Sequence, residues 1–203
     1  MERKIRTAVL VSGGGTNLQA IIDAQKSGII KSAEISLVIA NKADAYALTR
    51  AQNNGIKTQV VLKKDFSSSE EFENRIIEII DGDNIDLIVL AGFMCILSER
   101  FTSHYKDRIL NIHPSLIPSF CGEGFYGLRV HKAALEKGVK VTGATVHFVN
   151  EIPDGGKIIM QKAVEVLDGD TPEILQRRVM EQAEWVIFPQ AIEKISQEIL
   201  KEG

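Results

Sequence analysis

Three short segments hold side chains whose types and spacing suit catalysis. In Asn111-Ile112-His113-Pro114-Ser115 an amide and an imidazole sit two residues apart. On a strand, residues i and i+2 face the same side, so the two converge. An Asn amide can donate to a developing oxyanion, and a His can carry a proton near neutral pH. A structural histidine beside a proline turn is the plain alternative, and for an isolated His it would win. Here the pair closes a strand, and Pro114 and Pro118 stiffen the exit loop. Further on come Val146-His147-Phe148 and Pro153-Asp154-Gly155-Gly156. Alone, Asp154 reads as a turn former and His147 as a buried strand residue. With Asn111 they make an Asn–His–Asp set: a donor, a proton carrier and a carboxylate that orients or charges it. No Ser or Cys sits in a nucleophile elbow, and Cys121 has no clear activating partner. Direct attack by a substrate amine or by water fits that lack.

The third segment is Ser12-Gly13-Gly14-Gly15-Thr16-Asn17, between a strand and a helix. Glycines there let the backbone turn tightly and turn N–H groups outward beside a helix N-terminus, which favours an anion. A glycine turn capped by Thr16 or Asn17 is the competing structural reading. No Lys-Ser/Thr follows at Walker A spacing, and Leu18 occupies the third glycine position of G-x-G-x-x-G. A small phosphate is therefore expected rather than a dinucleotide. His104, His113, His131 and His147 show no HxH or HExxH spacing, and Cys95 and Cys121 make neither a disulfide framework nor a zinc pattern. No metal is expected.

The elements that position these groups alternate along the chain. Residues 7–11 (TAVLV), 35–40 (ISLVIA), 58–62 (TQVVL) and 86–91 (DLIVLA) read as strands, the first and last of them buried. Helices are expected from Asn17 to about Lys26, over 43–53, and after the serines preceding Glu70, with Phe72, Ile76, Ile77, Ile79 and Ile80 at helical spacing. Strand–helix alternation implies right-handed crossovers and a doubly wound, mostly parallel α/β sheet. Beyond Arg100 come a strand over 108–113, a short helix over 131–137, and strands over 141–149 and 157–166, an antiparallel addition. The tail from Thr171 reads as helical with Trp185 packed inward and a break at Phe188-Pro189. The 203 residues, with 44% hydrophobic and 25% charged side chains, describe one ordinary globular domain. A formal net charge of −3 disfavours general nucleic-acid binding. With neither a signal peptide nor about 18 consecutive apolar residues, no membrane association is expected and the chain reads as cytoplasmic.

With these segments assembled, the chain resembles the glycinamide ribonucleotide formyltransferases, folate-dependent enzymes of purine synthesis. The matching stretches are SGGGTNLQAII from Ser12, NKADA from Asn41, LAGFM from Leu90, LNIHPSLIPSF from Leu110, HKAALEKG from His131, VTGATVHFV from Val141 and PDGGKII from Pro153. The resemblance implies a Rossmann-like formyltransferase fold over 1–203, with a phosphate-binding half (1–100) and a folate-binding and catalytic half (101–203). It implies 10-formyltetrahydrofolate as co-substrate, phosphoribosylglycinamide as acceptor, and no metal. Asn111, His113 and Asp154 become the catalytic set, with Asp154 raising the His113 pKa. Gly15, Thr16 and Asn17 would hold the substrate phosphate. Met94, Cys95, Ile96, Leu97, Val149 and Asn150 would line the folate pocket. Glu184 would grip the ribose, in a helix one residue longer than in many relatives, so that Glu181 is the competing register. The partners are small molecules, with a monomer or homodimer expected.

Three features depart from the family pattern. Cys95 stands where a basic residue is common. Serines 67–69 replace a basic residue near the substrate phosphate, a place Lys63 or Lys64 could fill. Cys121-Gly122-Glu123-Gly124-Phe125-Tyr126-Gly127 is longer and richer in glycine than usual: a lineage-specific loop or a lid over the folate. Two other readings compete. A 10-formyltetrahydrofolate hydrolase would share the Asn–His–Asp set but carry a regulatory domain ahead of it, and a non-catalytic phosphoribosyl or folate sensor would not need the set intact. Methionyl-tRNA formyltransferase would need an RNA-binding domain for which this length leaves no room.

Overall fold

The structure, a computed structural model, describes residues 3–202. Seven strands form one sheet: β1 (Ile5–Val11), β2 (Ala33–Ala40), β3 (Lys57–Val60), β4 (Leu87–Leu90), β5 (Ile109–His113), β6 (Val141–Phe148) and β7 (Ile158–Glu165). Their order is β3-β2-β1-β4-β5-β6-β7. β1 to β5 are parallel, and β6 and β7 add antiparallel. The helices are α1 (Thr16–Lys26), α2 (Tyr46–Asn53), α3 (Ser69–Gly82), α4 (Glu99–His104), α5 (Leu128–Lys137), α6 (Pro172–Val179) and α7 (Trp185–Glu202).

The central strands are apolar on both faces because helices cover both. Val9 and Val11 face a core shared with α1, α2, α6 and α7, which includes Leu18, Ile21, Leu175 and Phe188. Ala8 and Leu10, on the other face, meet Phe72, Ile76 and Ile80 of α3 and Phe101 of α4. Each such fully buried large side chain is worth about 1.5–3 kcal/mol relative to exposure. α3 starts where the Ser68 hydroxyl accepts from the Glu71 N–H (3.1 Å), the serine cap expected there.

The structure departs from the sequence-based elements in several places: β3, expected over 58–62, spans Lys57–Val60, and α5, expected over 131–137, starts at Leu128. Residues 43–45 stay outside α2, whose N-cap Ala45 is extended (ψ 116°). α4 was not anticipated; its six residues are too few to show periodicity, although Ser98 caps it by accepting from the Phe101 N–H. Pro189 does not break the last helix, since α7 runs through it. Proline lacks the N–H that would bind the carbonyl four residues back and crowds that carbonyl. Here that residue is Trp185, whose ψ of −9° departs from the ordinary helical value, and the turn before it, Met180–Glu184, is a π-helix.

Candidate active site

β5 and β6 pair with Asn111 directly opposite His147 and His113 opposite Thr145. The period of two then puts Asn111, His113, His147 and Thr145 on one face. The Asn111 amide donates to His147 Nε2 (3.2 Å), while His147 Nδ1 donates to the Phe148 carbonyl (2.8 Å). A register shift in the β6–β7 pairing falls between Val146 and His147, a kind of irregularity that often re-aims side chains beside active sites.

Asp154 arrives from the loop joining β6 to β7. Its φ is +56°, a left-handed conformation that Asp tolerates better than most residues. The turn depends on Gly156, where a Cβ would lie 1.7 Å from the Phe148 carbonyl oxygen. Asp154 Oδ2 lies 3.3 Å from His113 Nδ1 and accepts from the Gly122 N–H at 2.9 Å, while Oδ1 lies 3.5 Å from His147 Nε2. One carboxylate thus bridges both imidazoles. Burial pushes its pKa up, but the two adjacent imidazoles, His147 and His113, and the Gly122 N–H together bring it below the ordinary value.

His113 Nε2 donates to the Phe120 carbonyl (2.8 Å). The loop bearing Phe120 is fixed through Thr145, whose hydroxyl donates to the Ser115 carbonyl (2.7 Å) and accepts from the Ile117 N–H (3.1 Å). The expectation that Asp154 sets a raised pKa for His113 needs correction. Burial lowers it, and although Asp154 and the Phe120 carbonyl push upward, the net direction is down. Without ligand the ring is therefore biased towards neutrality. With Nε2 committed to Phe120, its second proton goes to Nδ1, beside Asp154.

The glycine loop leads from β1 into α1. Gly15, not Thr16 or Asn17, is the N-cap; its φ is +71° and no side chain caps the helix. The first N–H groups of α1 are thus left for an external acceptor. A Cβ at Gly15 would lie 2.6 Å from the Ala47 Cβ, so α2 packs directly against the loop. Asn17 Nδ2 donates to Glu184 Oε2 (2.8 Å). Glu184 is 6% exposed, and burial raises its pKa, opposed by the Asn17 bond. Glu181 is exposed and paired with Arg177 at 2.9 Å, so Glu184 is the one turned inward. A π turn holds one residue more than an α turn, which accommodates the longer helix.

These groups share one cavity of about 830 Å³, in the upper part of the range of small-molecule sites. Thr16, Asn17 and Glu184 lie on its wall with Asn111, His113, His147 and Asp154, and Met94–Leu97, Val149 and Asn150 line it too. None of the lining residues is Lys or Arg. Lys63 and Lys64 instead line a separate depression of about 400 Å³ with Lys42 and Asp44, whose wall does not include Thr16 or Asn17. Among the described residues, no cluster of His, Cys, Asp and Glu is arranged to hold a metal ion, and no helix is long and apolar enough to cross a membrane.

Residues 5–192 match the family model described as formyl transferase. The chain belongs to the formyl transferase family. This formyl transferase is 46% identical over 187 residues to a phosphoribosylglycinamide formyltransferase of Haemophilus influenzae, covering 92% of the chain and 85% of the relative. It is also 46% identical, over 98% of its length, to the trifunctional purine biosynthetic protein adenosine-3 of Gallus gallus, but spans only 19% of that longer protein. The crystal structure of glycinamide ribonucleotide transformylase 1 from Symbiobacterium toebii superposes with a TM-score of 0.90 at 42% identity, covering 96% of this chain and 89% of that one. The fold is thus the mixed, mostly parallel sheet of those enzymes.

Within this formyl transferase, the residues anticipated for catalysis, acceptor and folate come together, Gly15 opening the helix whose next two residues reach the cavity wall. His147 belongs with them by geometry; in the sequence it stood on a strand and was raised only through the Asn–His–Asp set. Ser12 and Asn41 stood in motif stretches without a role assigned to them, and Glu73 gave no signal at all. All three hold the segment around residues 94–98: Met94 N–H donates to Ser12 Oγ (2.8 Å), Asn41 Nδ2 donates to Cys95 Sγ (3.0 Å), and Ser98 N–H donates to Glu73 Oε1 (2.9 Å).

Proposed function

We propose that this chain transfers the formyl group of 10-formyltetrahydrofolate to the amine of phosphoribosylglycinamide, as a step of purine biosynthesis. The observation that carries this reading is the placing of an Asn–His–Asp set and an uncapped helix N-terminus on one cavity wall. The apolar shelf of Ile96, Leu97 and Val149 suits a flat ring system, and the cavity has room for more than one small ligand. The co-substrate supplies the formyl carbon that the acceptor amine attacks.

The remaining work falls to the chain. The N–H groups of Gly15, Thr16 and Asn17 hold the phosphate, and Glu184 accepts from the ribose hydroxyls. Binding energy from these remote groups is thereby converted into orientation of the amine. One hydrogen of the Asn111 amide is committed to His147; the other donates to the oxyanion that forms. His113, protonated at Nδ1 against Asp154, adds positive charge at that centre. Asp154, through water, accepts the proton leaving the amine and returns one to the departing folate nitrogen.

The test is deformylation of 10-formyl-5,8-dideazafolate with and without phosphoribosylglycinamide. Turnover that requires the acceptor is expected. Turnover without acceptor would identify a hydrolase, and silence in both mixtures a sensor.

A further inference from the structure

The loop from Ser12 to Asn17 has a partner at each end. At its far end the Asn17 amide holds Glu184 at 2.8 Å. At its near end Ser12, only 5% exposed, accepts the Met94 N–H at 2.8 Å. Between them the loop is braced from α2: Ala47 N–H donates to the Gly13 carbonyl (3.1 Å) and Arg50 Nε to the Gly14 carbonyl (2.8 Å). The segment beginning at Met94 turns away from β4 at Gly92, whose φ is +75°, and lines the cavity. Of the three bonds that hold this segment, those from the side chains of Asn41 and Glu73 come from outside residues 12–17, although the Asn41 N–H also donates to the Val11 carbonyl (3.3 Å) just before the loop. Among the described residues, Ser12 is the member of the loop that hydrogen-bonds to this segment.

We propose that Ser12 is a positioning residue that couples the two ligands, so that acceptor bound at residues 15–17 tightens the folate at residues 94–97. The inference rests on the function proposed above. A loop ordered around the phosphate fixes Ser12, and Ser12 fixes the Met94 backbone, so the second ligand meets a wall already ordered. Linkage makes the effect reciprocal: each ligand must raise the affinity of the other by the same factor.

Calorimetry on the whole chain reads this directly. The probe is 5,8-dideazafolate, which lacks the formyl group and so cannot turn over, titrated with and without phosphoribosylglycinamide. In the wild type we expect the acceptor to tighten the probe about fivefold or more, and the probe to tighten the acceptor equally. In Ser12→Ala the factor falls to near one while affinity for the acceptor alone stays unchanged. Asn41→Ala removes a bond to the same segment from outside the loop. It should weaken the probe alone and keep the coupling factor. Absence of coupling in an active wild type would overturn the proposal, as would wild-type coupling in Ser12→Ala or equal loss in Asn41→Ala. A wild type without acceptor-dependent turnover overturns the function itself, a failure read in a separate assay.

Discussion

In the site without ligand, Asn111 already spends one amide hydrogen on His147. The carbonyl of Phe148 can only accept, so the His147 proton sits on Nδ1 and the Nε2 lone pair fixes which end of the Asn111 amide faces inward. One preorganised oxyanion donor contributes about 2.7–4 kcal/mol. Asn111→Ala is therefore expected to lose roughly a hundredfold or more in kcat, with KM values for both substrates changed far less. Steady-state kinetics with saturating folate decide it, and near-wild-type turnover would remove Asn111 from its role. His131 makes a different prediction, about stability. It is fully buried with no partner for either ring nitrogen, and burial, aided by the His113 charge, lowers its pKa to about 4. Below about pH 6.5 the unfolded ring binds a proton that the folded ring refuses, so its contribution to stability shrinks as the pH falls towards 4. The loss is of order 3 kcal/mol over that window. In His131→Leu, urea unfolding at about pH 7.5 and about pH 5 should show a smaller acid-side loss than the wild type. At this scale Asn111 and His113 were legible because their two-residue spacing needs only a strand to make them converge. His147 was less so, because its neighbour is set by the pairing of β5 with β6, which no local pattern encodes.

Turns, more than strands, decide where the chemistry sits. Gly15 combines a φ of +71° with direct contact against Ala47. Gly15→Ala must distort the loop or push α2 away, and strain in the left-handed region alone costs about 1 kcal/mol. The expected outcome is a rise of at least tenfold in the KM for phosphoribosylglycinamide with a smaller change for the folate. Equal effects on both would point to general unfolding instead. Most of the strand and helix pattern up to residue 91 was readable because the buried strands stand out as short apolar runs and the helices span enough residues to show their period. The six-residue α4 and the π turn at Met180–Glu184 were not. A π turn leaves hydrophobic spacing nearly helical, so no periodicity marks it. The inward register of Glu184 over Glu181 follows from that turn and could only be settled in three dimensions.

Over the whole molecule, a net charge of −3 gives no long-range attraction for two anionic substrates, and the cavity wall adds no Lys or Arg. Recognition must then be short-range, through backbone N–H groups and hydrogen bonds. Raising KCl from about 50 to about 500 mM should change kcat/KM by only a few-fold, whereas electrostatically steered association falls steeply with ionic strength. A steep fall would reveal a guiding basic surface. The strand order has a further consequence for how the enzyme fails. The anion loop and the segment at Met94 both leave from β1 and β4, the innermost strands, whose residues are almost all buried. Asp154 hangs between β6 and β7, and β7 is an edge strand with most of its residues partly or fully exposed. Amides of the edge pair should exchange with deuterium well before those of β1, because local opening begins where backbone hydrogen bonds meet solvent. In mild denaturant the protein should therefore pass through a population that still captures its ligands but has let go of the carboxylate that moves their proton.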